Sequence, residues 1–195
     1  MSRKAFRIGK FLNEVEKSRV ILSKPSVAEG GAGGLRPYQK ALMVGKCVGL
    51  GGFWAAENIL LLTRGSSFLL RDDPDAQKSL AGRAQRTGAR FYFAGSVAFF
   101  LMSVRDIYEH DRKVEERAKD PGATAEELEK LQLKRFSLYV NLTKSICDMI
   151  VFSNITGVDL HRKFRGKPLS EGIVSVAGLA SASTVLFNNY PKAKK

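Results

Sequence analysis

The sequence predicts an all-α fold, specifically a membrane-embedded helical bundle with amphipathic and transmembrane helices and a hydrophilic helical hairpin. Three observations predict it. Long apolar stretches alternate with basic flanks, and apolar residues recur at the spacing of a helix. The formal net charge of +13 favours contact with anionic lipid headgroups. Because 195 residues suffice for one domain, we treat 1–195 as a single membrane domain.

The first predicted element is an amphipathic helix over residues 3–22. Ala5, Ile8, Leu12 and Val15 recur every three or four residues, as on one face of a helix. Such a helix either packs on a core or lies in a membrane interface, where basic side chains meet headgroups. The basic residues expected at the lipid surface here are Arg3, Lys4, Arg7 and Lys10. Residues 23–37 then form a glycine-rich linker.

An apolar helix is predicted over residues 38–64. It is about long enough to span a bilayer if Lys46 and Glu57 face protein or the interface. Gly45 and Gly49 are four residues apart, a spacing that lets another helix approach closely. That helix belongs either to a second copy of the chain or to the chain's own bundle.

A long helix over residues 79–119 has two parts. Its apolar part, Phe91 to Val104, is bounded by Arg90 and Arg105 and is too short for a clean span. It suits an interfacial or re-entrant element, or a helix whose buried length is extended by arginines that reach the headgroups. The part after Arg105 is highly charged, and so is the start of the next helix, predicted over 124–158. Together they predict the hydrophilic hairpin.

The clearest transmembrane helix is predicted over residues 169–190, because residues 172–189 carry no charge. Gly178 and Ala182 form a second small-residue face for helix packing or oligomerisation. A basic loop over 161–167 precedes this helix. The basic residues of this loop expected to contact headgroups are Arg162, Lys163 and Arg165. Arg90 and Arg105, at the two ends of the earlier apolar segment, are expected to do the same.

Catalytic, cofactor and metal sites are not predicted. His110 follows Asp106 by four residues, a metal-binding spacing, but we expect it on a solvated helix face. His161 lies in the basic loop, which suits phosphate contacts better than acid–base chemistry. Cys47 and Cys147 sit in apolar stretches and are expected to behave as small hydrophobes, although a disulfide between them stays open. Apolar stretches between basic flanks favour lipid over nucleic acid as the partner.

Four segments, taken in order, resemble one known family. They are a basic phenylalanine-containing run (residues 3–11), an apolar helix over Lys40–Gly65 that contains Phe-Trp-Ala-Ala-Glu-Asn-Ile, the stretch Asn141–Ile150 with its Lys-x-x-Cys-Asp pattern, and a glycine- and serine-rich helix over Leu169–Phe187. Together they resemble the peroxin-11 family of peroxisomal membrane-elongation proteins. Members usually carry another amphipathic helix before the first run. This chain starts at that run, which bears on whether it bends membranes as the family does.

The resemblance implies a non-enzymatic protein of the peroxisomal membrane that elongates or proliferates peroxisomes, self-associates and recruits fission factors. The expected partners are anionic lipids and either a homo-oligomer or a larger membrane complex. The alternative is an accessory subunit of a large membrane complex, such as a respiratory assembly of the mitochondrial inner membrane. A third hypothesis is a metabolite pore lined by Lys46, Glu57, Asn141, Lys144 and Asp148. Against the pore, Lys144 and Asp148 are spaced to pair with each other within the bundle.

Overall fold

The structure is a computed structural model that describes residues 8–25, 35–65, 73–122 and 124–190. Over these ranges the chain forms helices and no strand, so the all-α prediction is confirmed. The helices are α1 (Ile8–Ser23), α2 (Pro37–Gly65), α3 (Pro74–Ala118), α4 (Ala125–Ser153), α5 (Leu160–Arg165) and α6 (Glu171–Asn189). The predicted linker lies mostly outside the described residues.

Helix α3 begins five residues before the predicted start because of its cap. Asp73 Oδ1 accepts hydrogen bonds from the backbone N–H groups of Asp75 and Ala76, at 3.2 and 2.8 Å. Pro74 stands at the first helical position, where its fixed φ favours the helix and its missing N–H costs nothing. The predicted start at residue 79 therefore missed the capping role of Asp73 and Pro74.

Helix α4 ends at Ser153, earlier than predicted, and a short helix replaces the predicted basic loop. Beyond its end the chain turns through Gly157 and Asp159, which have positive φ values of 108° and 48°. The Lys163 N–H then donates to the Asp159 carbonyl at 3.0 Å, and Gly166 closes α5 in a left-handed conformation. The prediction of a loop over 161–167 was therefore wrong over most of that range.

The helices pack mainly in chain order. The α2–α3 contact is the most extensive, followed by α3–α4, α1–α2 and α4–α6. Phe53, Tyr92 and Phe152 join α2, α3 and α4 in one aromatic cluster, in which the Tyr92 and Phe152 rings stack with centroids 3.8 Å apart. The remaining buried apolar side chains are mostly small: Ile21, Cys47, Ala56, Ala84, Ala89, Cys147, Val158 and Ala177.

The α2 and α3 backbones touch where two glycines meet. A Cβ atom added at Gly49 would lie 2.5 Å from Gly95 Cα, a distance that side chains do not tolerate. The same crossing brings the Phe91 ring against Gly52. The glycine-rich segment of α2 is therefore used for close helix packing within the chain, one of the two alternatives that its spacing predicted.

Candidate membrane interface

Helix α1 packs on α2 through a face that contains buried polar residues. Phe11, Glu14, Ser18 and Ile21 recur at spacings of three and four residues and turn toward α2. Glu14 is only 8% exposed, and Lys17 Nζ lies 2.5 Å from its Oε1 atom. Glu14 and Ser18 are also within hydrogen-bond reach of the Cys47 thiol on α2. The docking of α1 thus relies on buried polar contacts.

Three apolar residues of α1 are left outside this contact. Leu12 is 62% exposed, and Val15 and Leu22 are at least half exposed on the same flank of the helix. A helix in water would turn these residues to the core and leave Glu14 in solvent. The observed orientation suits a helix whose free flank meets the apolar edge of a bilayer.

The apolar helices likewise leave large apolar side chains exposed. Among the described residues, α3 and α6 are long and apolar enough to cross a membrane, and little of α6 is buried within the chain. Helix α6 buries Ala177 and Ser181, whereas Leu179 is 71% exposed and Val176 and Leu186 are similarly free. Small residues inside and large apolar residues outside are typical of helices packed in lipid. The length and hydropathy of α3 favour a helix that spans the membrane over a short interfacial element.

Helix α2 does not reach the same level of hydropathy. Lys46 and Glu57 interrupt its apolar stretch, and the glycines at the α3 crossing add little hydrophobicity. The Lys46 ammonium lies 4.1 Å from the centroid of the Phe99 ring on α3. This charge is therefore accommodated by a neighbouring helix, as predicted for a charged residue in such a setting.

A buried carboxylate joins three helices. Asp148 on α4 is buried and accepts a hydrogen bond from the Tyr92 hydroxyl on α3 at 3.1 Å. It also accepts from the Ser181 hydroxyl on α6 and from Lys144 Nζ one turn earlier on α4. Both oxygens of the carboxylate thus accept hydrogen bonds, as a charged group within a membrane bundle requires.

This network bears on the pore hypothesis. Lys144 and Asp148 pair with each other, and the Asn188 amide donates to Asn141 Oδ1 at 3.1 Å. Together with the Lys46–Phe99 contact, these pairings involve four of the five residues considered for a polar lumen. The contacts favour the alternative in which these groups pair inside the bundle.

The opposite end of the α3–α4 pair is polar. Arg117 on α3 binds Glu127 on α4, with Nη2 and Oε2 3.1 Å apart, and Arg135 Nε lies 3.0 Å from Asp111 Oδ1. The negative charge of Asp111 raises the pKa of the Arg135 guanidinium. The two arms form a hydrophilic hairpin linked by these ion pairs.

His110 lies inside this hairpin, and the prediction that it sits on a solvated face was wrong. Its ring is buried, and Nε2 donates to the Leu131 carbonyl at 2.9 Å. The start of α4 folds back over this point of α3, which the charge pattern of one helix did not reveal. Within the described ranges, no cluster of three His, Cys, Asp or Glu residues is arranged to hold a metal ion.

Comparison with known protein families identifies the chain. The model of the family described as Peroxisomal biogenesis factor 11 (PEX11) matches residues 1–187. The chain belongs to this family. A search of curated proteins found no match to the chain, and a search of solved structures also found none.

Membership of the peroxin-11 family confirms the family resemblance predicted from the four sequence segments. It supports a role in the proliferation of peroxisomal membrane and a location in that membrane. The family is one of biogenesis factors, not of enzymes. The match lends no support to the mitochondrial inner membrane as the location.

The predicted lipid contacts fall into two groups in this peroxin-11 structure. Lys10 lies near the Trp54 ring, Arg90 Nε donates to the Gly157 carbonyl at 2.8 Å, and Arg105 binds Glu109. These three make contacts within the chain. The second group comprises the exposed residues Arg162, Lys163 and Arg165, which the structure brings together on α5. The remaining three predicted contacts lie outside the described residues: Arg3, Lys4 and Arg7.

The predicted packing residues mostly face the chain itself. Gly49 meets Gly95, Gly45 faces Ala98, and Gly178 faces Val151. Ala182 alone of the four is exposed. Their use between copies of the chain stays a prediction.

Sequence reasoning missed two partners of Asp148 and one exposed aromatic residue. Tyr92 and Ser181 lie 56 and 33 residues from Asp148, so no local pattern connects them. Phe164 carried a usable signal, because it is an aromatic residue among four basic ones in residues 162–167.

Proposed function

We propose that this peroxin-11 family member shapes the peroxisomal membrane by inserting the free flank of α1 into one leaflet. The observation that supports the proposal is the orientation of α1, which buries Glu14 and exposes Leu12, Val15 and Leu22. An apolar flank in the headgroup region occupies area in one leaflet only, and unequal leaflet areas favour curvature. Because α1 packs against α2, this insertion is coupled to the embedded bundle.

The basic residues of α1 would strengthen the insertion. Lys10 and Arg19 are exposed, and Arg3, Lys4 and Arg7 precede them in the sequence. Each lysine or arginine near an anionic membrane surface contributes about 1 kcal/mol of attraction. The preferred membrane is therefore one with anionic lipid in the leaflet that α1 enters.

Self-association is the second part of the proposal. The outward face of α6 carries Val176, Leu179 and Leu186, with Ala182 between them as a small residue that admits a close neighbour. Contact between copies along this face would concentrate inserted α1 helices on one patch of membrane. Native-gel migration of the membrane-extracted protein tests this part, since a large hetero-complex would instead support the accessory-subunit alternative.

The test of insertion is vesicle tubulation by the full chain. The double variant Leu12→Gln with Leu22→Gln should tubulate at least tenfold fewer anionic vesicles, since each leucine contributes about 2 kcal/mol on burial. Val20→Gln is the matched control, because Val20 is similarly exposed but lies on another flank of α1. Equal loss in the control, or full tubulation by the double variant, would overturn the proposal.

A second variant tests the charge contribution. Changing Arg7 and Lys10 to glutamate should weaken the association of α1 with anionic vesicles while leaving the bundle folded. The measurement is the depth of a fluorophore attached to residue 12 in reconstituted full-length protein. An unchanged depth would count against electrostatic support for insertion.

A further inference from the structure

The segment between α4 and α6 leaves the bundle and returns to it at fixed points. Asn154, just after α4, accepts a hydrogen bond through its Oδ1 atom from the Leu169 N–H at 2.8 Å. The chain between these residues therefore forms a closed loop at the start of α6. We call residues 155–168, which include α5, the α5 loop.

The first part of the α5 loop is attached to α3. The Gly157 carbonyl accepts from Arg90 Nε at 2.8 Å, and the Gly157 N–H donates to Asp159 Oδ2 at 2.7 Å. A Cβ atom at Gly157 would lie 2.9 Å from Arg86 Cα, so the turn packs directly on the α3 backbone. Val158 is buried beside it. These contacts with α3 thus fix the position of α5 without a bound lipid.

The tip of the α5 loop is apolar and basic at once. Phe164 is 84% exposed, more than any other large apolar side chain that the structure describes. Residues 160–170 contain no acidic residue, and the exposed basic side chains around Phe164 are Arg162, Lys163, Arg165 and Lys167. An exposed phenyl ring among four basic side chains offers apolar contact and positive charge together, the combination that suits the interface of an anionic membrane.

We propose that the α5 loop is a preformed membrane anchor. Phe164 enters the interfacial region of an anionic leaflet, and the basic side chains around it contact lipid phosphates. The location supports this occupant, because the candidate span α6 begins at Glu171, immediately after the loop. Headgroups must lie near the end of a spanning helix, and aromatic and basic residues are the usual anchors there. The anchor fixes the depth at which α6 enters the bilayer.

This anchor is separate from the insertion of α1, and either contact stands without the other. The experiment places a tryptophan at the tip. In a Trp54→Phe background, Phe164→Trp gives a full-length chain with one tryptophan, and Gln132→Trp gives the matched control on the exposed hairpin. Both chains are reconstituted in phosphatidylcholine vesicles with and without phosphatidylserine, and quenching by acrylamide and by brominated lipid is measured.

The tryptophan at 164 should show blue-shifted emission and strong quenching by brominated lipid, and phosphatidylserine should increase both. The tryptophan at 132 should stay accessible to acrylamide in both vesicles. Acrylamide quenching at 164 equal to that at 132 would overturn the proposal. So would brominated-lipid quenching at 164 that phosphatidylserine leaves unchanged.

A charge variant tests the basic residues. Changing Arg162, Lys163 and Arg165 to glutamine should remove the effect of phosphatidylserine on the tryptophan at 164, and an unchanged effect would overturn the role of these residues.

Two controls complete the test. If Trp54→Phe lowers helicity, the quenching at 164 is taken as the difference between the Phe164→Trp chain that retains Trp54 and the natural chain. A Leu12→Gln and Leu22→Gln chain should give the same result at 164, which separates this anchor from α1.

Discussion

The two ends of the α3–α4 pair are held together by different interactions. At the apolar end, Asp148 binds Tyr92 and Lys144 in a buried network, and aromatic rings stack beside it. At the hairpin end, the links are exposed ion pairs and one buried histidine. In lipid, apolar contact gives helices little drive to associate, so polar bonds and close packing must hold them. In water, exposed ion pairs add little, and their main effect is solubility.

The largest expected effect is at the apolar end. Asp148→Ala leaves the Lys144 ammonium without its carboxylate, and removing one partner of a buried ion pair costs roughly 3–5 kcal/mol. We expect a large loss of folded protein and of the free energy of unfolding in detergent. Glu127→Gln on the hairpin is the matched control and should have a far smaller effect. Equal effects would remove the distinction between the two ends.

Close packing at the glycine crossing should give the next largest effect. Gly49→Leu places a side chain against Gly95 Cα, and overpacking of this kind costs about 1–3 kcal/mol. Gly172→Leu is the control, because a Cβ atom there meets no atom within 4 Å. Thermal unfolding in detergent measures both. A Gly49 variant as stable as the Gly172 variant would show that α2 and α3 separate easily.

His110→Ala should have an intermediate effect. It removes the buried imidazole and its hydrogen bond to the Leu131 carbonyl, at a cost of about 1–2 kcal/mol. Hydrogen exchange should show faster opening of the hairpin while the exchange of α6 stays unchanged. Gln132→Ala, at an exposed neighbouring position, serves as the control. Faster exchange in α6 would mean that the two ends of the pair are coupled.

The smallest effect is expected for Arg117→Gln. It removes an exposed pair with Glu127, worth about 0–1 kcal/mol and screened by salt. The difference in unfolding temperature from the natural chain should shrink further as ionic strength rises. A loss comparable with that of Asp148→Ala, or one insensitive to salt, would contradict the view that the hairpin is held weakly.

Much of this fold could be predicted from local patterns, and the failures have physical reasons. The uncharged run 172–189 was sufficient to predict α6, and the four-residue spacing of Lys144 and Asp148 predicted their pairing. The short helix α5 was missed because it depends on the left-handed Gly157 and Asp159, whose conformation is held by contact with α3.

The membrane interface was predictable only in part. Basic residues at apolar boundaries were expected at the lipid surface, yet Arg90 and Arg105 bind groups of the chain itself. Their partners depend on which helices pack together, and a local sequence pattern does not specify that packing. The burial of Glu14 and the exposure of Leu12 likewise follow from the docking of α1 on α2, although both lie in one periodic segment.

Helix α6 packs chiefly against α4, so most of its circumference is available to lipid. Its 19 residues rise about 28 Å at 1.5 Å each, close to the roughly 30 Å thickness of a bilayer's hydrocarbon core. A thicker or thinner membrane would therefore act on this helix by hydrophobic mismatch and change its tilt. Since Ser181 binds Asp148, a change of tilt would reach the centre of the bundle.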